Sequence, residues 1–94
     1  MRKESSLQKS IREYLELHDW MVLKYSATGA GETPGIPDLI CFSKKKQYVF
    51  LELKRASGRK QVIQNAMHAH LKLFADVYVC TSVDELVEIL KKYN

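Results

Sequence analysis

Three polar residues that could do chemistry together lie close in the chain: Asp38, Glu52 and Lys54. Side chains alternate between the two faces of a strand, so Glu52 and Lys54 share one face of the predicted strand 47–54. If the hairpin closes symmetrically about residue 45, Asp38 lies opposite Glu52, with Cβ atoms roughly 5 Å apart. A slip of one residue would put Asp38 on the other face. The pattern therefore predicts that two carboxylates and a lysine converge at the open end of the hairpin.

Such a cluster suits metal-assisted hydrolysis of phosphodiester bonds. Two facing carboxylates stay ionised together only if a cation lies between them or a proton is shared. Oxygen ligands select hard cations, Mg²⁺ or Mn²⁺, which can bind a phosphate oxygen and activate water. The alternative is a surface ion pair between Glu52 and Lys54 beside an unrelated Asp38. The shared face and the apolar surroundings favour the catalytic interpretation.

The elements that must position these residues are predicted in the order α-β-β-β-α-β-α. Apolar residues at helical spacing predict helices over 4–18 and 60–74, and Ser82-Val-Asp-Glu85 is a capping box that opens the last helix. The second helix is expected to carry Ile63, Met67, Leu71 and Phe74 on one face. Strand-like runs occupy 20–25, 36–42, 47–54 and 77–80. The predicted fold is α/β, a mixed sheet flanked by helices.

Length and composition limit the classes of protein that fit. The 94 residues predict a single domain spanning 1–94, and the hydrophobic fraction of 46% excludes a disordered chain. The net charge of +4 favours nucleic acid as the partner. Neither an apolar run of about 20 residues nor a signal-peptide pattern is present, so we expect a cytosolic protein with no membrane partner.

The cysteines and histidines predict no zinc site. Cys41 and Cys80 lie far apart in apolar strand-like runs and are expected to be reduced core residues. His18, His68 and His70 have no metal-ligand spacing with either cysteine. They are interpreted as exposed or partly buried helix residues and not as general bases, because no nucleophile accompanies them.

Two segments of the chain carry a family resemblance. Gly35-Ile36-Pro37-Asp38-Leu39, followed by Phe50-Leu51-Glu52-Leu53-Lys54, resembles the PD-(D/E)xK nuclease superfamily and, within it, the VRR-NUC family. The resemblance covers nearly the whole chain and implies a restriction-endonuclease-like fold. It also implies that Asp38 and Glu52 bind the metal with the help of the Leu53 carbonyl, and that Lys54 is the catalytic lysine.

The same resemblance suggests roles for three more residues. Glu4 matches a helix glutamate that completes the metal shell, Gln64 matches a helix glutamine that supports the catalytic site, and Lys24 matches a lysine before the glycine-rich loop. The residues alone allow two positions for Glu4. It lies on the inward stripe if the helix begins early, or outside the helix if Ser5 is the N-cap and Gln8 closes a capping box. For Gln64 and Lys24, the residues alone predict ordinary solvated side chains.

Further residues concern DNA contacts and departures from the family pattern. Arg55, Arg59 and Lys60 follow the catalytic strand and are predicted to contact phosphates, as is Lys24. The chain departs from the pattern at residues 67 and 68, Met-His where an aromatic is common, and at residue 75, alanine where glycine is usual. These departures concern local packing and not the reaction.

The predicted function is a compact, structure-selective DNA endonuclease that uses Mg²⁺ or Mn²⁺. Phosphate contacts read shape, so branched DNA is the expected substrate, and a homodimer would place two sites on opposite strands. Stand-alone members of the resembling family are phage-type proteins associated with Holliday junction resolution, which implies the cytoplasm of a bacterial or phage-infected cell. A flap or single-strand nuclease of the same chemistry and a non-catalytic nucleic-acid-binding module are the alternatives.

Overall fold

The computed structural model describes residues 5–25, 35–54 and 62–93, and the side chains of residues 62–64 lie outside that description. Over these ranges the elements follow the predicted order, α-β-β-β-α-β-α. A short 3-10 helix, Lys91–Tyr93, ends the described chain. The elements are α1 (Ser6–Leu17), β1 (Met21–Lys24), β2 (Leu39–Phe42), β3 (Tyr48–Leu53), α2 (Val62–Leu71), β4 (Asp76–Cys80) and α3 (Val83–Leu90).

The four strands form one mixed sheet in the order β1-β2-β3-β4. Strand β2 pairs antiparallel with both β1 and β3, and β4 lies parallel to β3 after the α2 crossover. In the hairpin, Phe42 pairs with Tyr48 and Ile40 with Phe50, which confirms the predicted register. Strand β2 is shorter than predicted, because Pro37 before it lacks the N–H that a ladder needs.

The core lies on one face of this sheet, where α1 and α3 pack. Helix packing buries the odd-numbered side chains of β2 and β3, as strand alternation predicts. Cys41 and Cys80 are reduced and buried here, which confirms their prediction, and burial raises the pKa of the Cys41 thiol to about 12. The fully buried residues of this core include Ile11, Leu15, Leu39, Cys41, Val49, Leu51, Cys80 and Leu86.

Helix α2 crosses the opposite face, and the prediction that it extends to Phe74 is wrong. The helix ends at Leu71, and the turn that follows leaves Phe74 68% exposed. Backbone hydrogen bonds from Phe74 and Ala75 to the Leu71 carbonyl close this turn and take Phe74 off the helical stripe. Among the side chains of α2 that the structure describes, residues 65–71, the buried one is His68.

Serine caps begin both helices of the core face. The Ser82 hydroxyl accepts a hydrogen bond from the Glu85 amide, which confirms the predicted cap of α3. Ser5 caps α1 by accepting from the Gln8 amide, so that helix begins at Ser6. Among the described residues, no helix is both long and apolar enough to cross a membrane.

Candidate active site

Asp38 is held between two strands at the open end of the hairpin. Its carbonyl accepts a hydrogen bond of 2.9 Å from the Tyr25 amide, which extends the β1–β2 ladder by one step. Its carboxylate Oδ2 accepts a hydrogen bond of 2.8 Å from the Leu53 amide of β3. The β2–β3 register pairs Leu39 with Leu51, and the next step of that register brings Asp38 opposite Glu52. This register brings the two carboxylates next to each other, as the sequence predicted.

Glu52 is a buried carboxylate, with 4% of its surface exposed, near the end of β3. Its Oε1 lies 3.7 Å from Nε2 of His68, which reaches across from α2. Burial of a carboxylate disfavours its charged form unless positive charge or hydrogen bonds compensate. The interior position therefore makes Glu52 a candidate functional residue.

His68 corrects the prediction that this histidine is exposed or partly buried. It is 8% exposed, because α2 lies across the sheet and turns this position towards β3. Burial lowers the pKa of His68, and the positive charges of Lys54 and Lys72 lower it further, against a smaller opposing effect of Asp38. His18 and His70 are exposed, as predicted. The imidazole of His68 is therefore neutral near pH 7.

A cleft of about 220 Å³ opens beside His68. Two of its lining residues are lysines, Lys54 just after β3 and Lys72 just after α2, so an anion entering the cleft meets positive charge. A larger cleft of about 430 Å³ surrounds Tyr48 at the opposite end of the sheet. Of these two clefts, the smaller one adjoins His68, which faces Glu52, and it is the candidate for the chemistry. It is lined by Lys54, Asn65, His68, Ala69, Lys72 and Val79.

The remaining predicted site residues divide into placed and undescribed ones. Leu53 and Lys54 are half-buried at the end of β3, and the Lys54 amide donates to the Cys80 carbonyl. Lys24 is exposed at the end of β1 and pairs in register with Leu39. Gln64 belongs to α2, but its side chain is not described. Four predicted site residues lie outside the described ranges: Glu4, Arg55, Arg59 and Lys60.

The Ser5 cap bears on the two interpretations of Glu4. Because α1 begins at Ser6, Glu4 precedes the cap, as in the interpretation that puts it outside the helix. The position of the Glu4 side chain itself is not described. A metal-ligand role for Glu4 therefore stays a prediction.

Sequence reasoning missed His68 and Lys72 as residues of this site. Both follow Gln64 at successive intervals of four, the spacing at which residues of one helix are neighbours. That spacing was the available signal. The prediction of α2 followed its apolar face, through Met67 and Leu71, and so did not consider the face that carries His68 and Lys72.

The donor atoms at the end of β3 fit a hard divalent cation in part. Asp38 uses one carboxylate oxygen for the Leu53 amide and keeps the other, and Glu52 and the Leu53 carbonyl are further oxygen donors. Within residues 5–25, 35–54 and 62–93, no three histidine, cysteine, aspartate or glutamate side chains form a metal-binding group. A complete shell therefore needs the backbone carbonyl, water or Glu4.

Comparison with known proteins adds one informative similarity. No protein-family model and no curated protein matches the sequence. A solved structure of a VRR_NUC domain superposes with a TM-score of 0.78 and 26% sequence identity, over 94% of both chains. This similarity shows that the mixed sheet flanked by helices has the restriction-endonuclease-like fold of that VRR_NUC domain. It also supports the family resemblance carried by the two sequence segments.

Proposed function

We propose that the protein is a divalent-metal-dependent endonuclease that hydrolyses DNA phosphodiester bonds. The observation that carries the proposal is the junction of β2 and β3. There the Asp38 carboxylate is hydrogen-bonded to the Leu53 amide, directly beside the buried Glu52 and one residue before Lys54. The similarity to a VRR_NUC domain supports a nuclease of this type.

Each residue of the cluster has a distinct task in this proposal. Asp38 and Glu52, with the Leu53 carbonyl and Glu4, would hold Mg²⁺ or Mn²⁺. When bound, the cation supplies Lewis-acid stabilisation of charge on the phosphate and lowers the pKa of water. The Leu53 amide fixes one oxygen of Asp38 and so orients the other. Lys54 orients the attacking water or offsets charge on the phosphorane, and Gln64 supports the site.

The charge distribution favours a DNA strand in the cleft beside His68. Lys54 and Lys72 line that cleft, and the chain carries a net charge of +4. Contacts from Lys24, Arg55, Arg59 and Lys60 to phosphates would fix the strand without reading bases. Contacts of this kind recognise shape, so branched DNA is the proposed substrate. A homodimer would then cut a four-way junction on two opposing strands.

The test is a cleavage assay on labelled four-way junctions, flaps, single strands and linear duplex, with Mg²⁺ or with EDTA. We expect cleavage of the junction in Mg²⁺ and none in EDTA or with Asp38→Ala. Preferred cleavage of flaps or single strands would support the alternative substrates. Tight binding of DNA without cleavage of any of these substrates would overturn the proposal of an enzyme and would favour a non-catalytic nucleic-acid-binding module. Light scattering checks the dimer, and a monomer on junction DNA would contradict paired incision.

A further inference from the structure

We infer that His68 is a ligand of the same cation as Glu52, through its Nε2 atom, and that it gives the site a preference for Mn²⁺ over Mg²⁺. The inference rests on the proposed metal-dependent function and adds a nitrogen donor from α2. The family resemblance assigns His68 no role.

The first support is burial without a hydrogen bond. The His68 side chain is 10% exposed and that of Glu52 is 5% exposed, so the two face each other inside the protein. Nε2 of His68 is fully buried and has no hydrogen-bond partner among the described residues. A buried polar nitrogen without a partner is rare in folded proteins and calls for an explanation such as an unseen ion.

The second support is the distance between the facing atoms. At 3.7 Å, His68 Nε2 and Glu52 Oε1 are too far apart for a good hydrogen bond. Two donors bound to one ion at roughly 2.1 Å lie about 3.0 Å apart at a right angle and about 3.4 Å apart at a tetrahedral angle. The described side chains of Asp38, Glu52 and His68 do not yet form a three-residue metal-binding group, and a cation between Glu52 and His68 needs a closure of about 0.3–0.7 Å.

The third support is the ion that such a pair selects. An imidazole nitrogen suits first-row transition metals, whereas Mg²⁺ favours oxygen donors and retained water. The oxygen donors of Asp38, Glu52 and Leu53 accept Mg²⁺ and Mn²⁺ alike. Addition of the His68 nitrogen therefore strengthens the binding of Mn²⁺ selectively.

The experiment measures metal binding to the full chain without DNA. Titration followed by electron paramagnetic resonance gives Mn²⁺ affinity, and calorimetry gives Mg²⁺ affinity. We expect His68→Phe to weaken Mn²⁺ binding by about 10- to 100-fold and Mg²⁺ binding by less than about 3-fold. The matched control is His70→Phe, since His70 is exposed on the same helix and its replacement leaves both affinities unchanged.

A second measurement needs no variant. Pulsed electron paramagnetic resonance of wild-type protein with bound Mn²⁺ should show the modulation of a directly coordinated ¹⁴N nucleus. If Mn²⁺ binds but shows no such nitrogen, or if a folded His68→Phe binds Mn²⁺ as tightly as wild type, the inference about His68 fails and the proposed metal site stands. If wild type binds neither ion, the proposed function fails as well.

Discussion

The Asp38 carboxylate accepts a hydrogen bond of 2.8 Å from the backbone amide of Leu53. This bond ties the residue before β2 to the last residue of β3, next to the buried Glu52. One oxygen of Asp38 therefore makes a structural contact, and the other is the one that would bind the metal in the proposed function. The two tasks can be separated by mutation.

Asp38→Asn keeps an oxygen that can accept from the Leu53 amide but removes the charge, whereas Asp38→Ala removes both. We expect Asp38→Ala to lose about 1.5–3 kcal/mol of unfolding free energy, because the hydrogen bond is to a charged group. Asp38→Asn should lose less, and both should lose cleavage. Urea unfolding and the junction assay measure these effects. Equal loss of stability in the two variants would show that the amide contact is not maintained.

Metal binding should stabilise the folded protein, because the carboxylates are assembled only there. When the free ion concentration is ten times its Kd, binding adds about 1.4 kcal/mol to the unfolding free energy. This gain is measured as a higher Tm in Mg²⁺ or Mn²⁺ than in EDTA. Glu52→Gln should abolish this difference. Glu13→Gln is the control, since Glu13 is exposed on α1 and should leave the difference intact. A metal-induced rise in Tm that survives Glu52→Gln would place the ion elsewhere.

The sequence predicted the carboxylate pair but not its partner from α2, and the reason is physical. Register in a short hairpin follows from local alternation, so Asp38 and Glu52 could be placed opposite each other. The position of α2 over the sheet depends on long-range packing and on where the helix ends. The turn after Leu71 exposes Phe74 and leaves His68 facing Glu52, which the apolar stripe alone did not indicate.

Leu51 should be a main contributor to stability, because it is fully buried at the centre of β3. Leu51→Ala is expected to cost about 2–5 kcal/mol of unfolding free energy. Leu17 is the matched control, since it is 79% exposed and its replacement should change stability by about 0.5 kcal/mol or less. Chemical denaturation compares the two. Similar losses would contradict the placement of the core on the face covered by α1 and α3.

Cys41 predicts how stability responds to alkaline pH. Burial raises the pKa of its thiol from 9.0 to about 12 in the folded state. As the pH rises, the thiol ionises in the unfolded state before it does so in the folded state. The contribution of the buried neutral thiol to the unfolding free energy is therefore complete below pH 9 and is lost as the pH rises towards 12. Relative to Cys41→Ala, wild type should lose about 1.4 kcal/mol between pH 8 and pH 10. Rapid modification of Cys41 by a thiol reagent in the native protein would contradict its burial.

The central claim is that Asp38, Glu52 and Lys54 form a metal-dependent nuclease centre. Its most direct test is single-turnover cleavage of a labelled four-way junction in Mg²⁺ by wild type, Glu52→Gln and Lys54→Ala, with Glu13→Gln as control. We predict a loss of at least about 100-fold in rate for Glu52→Gln and Lys54→Ala, as for removal of a group that stabilises the transition state. Glu13→Gln should cut like wild type, and EDTA should stop all cleavage. Undiminished cleavage by Glu52→Gln, or by wild type in EDTA, would contradict the claim.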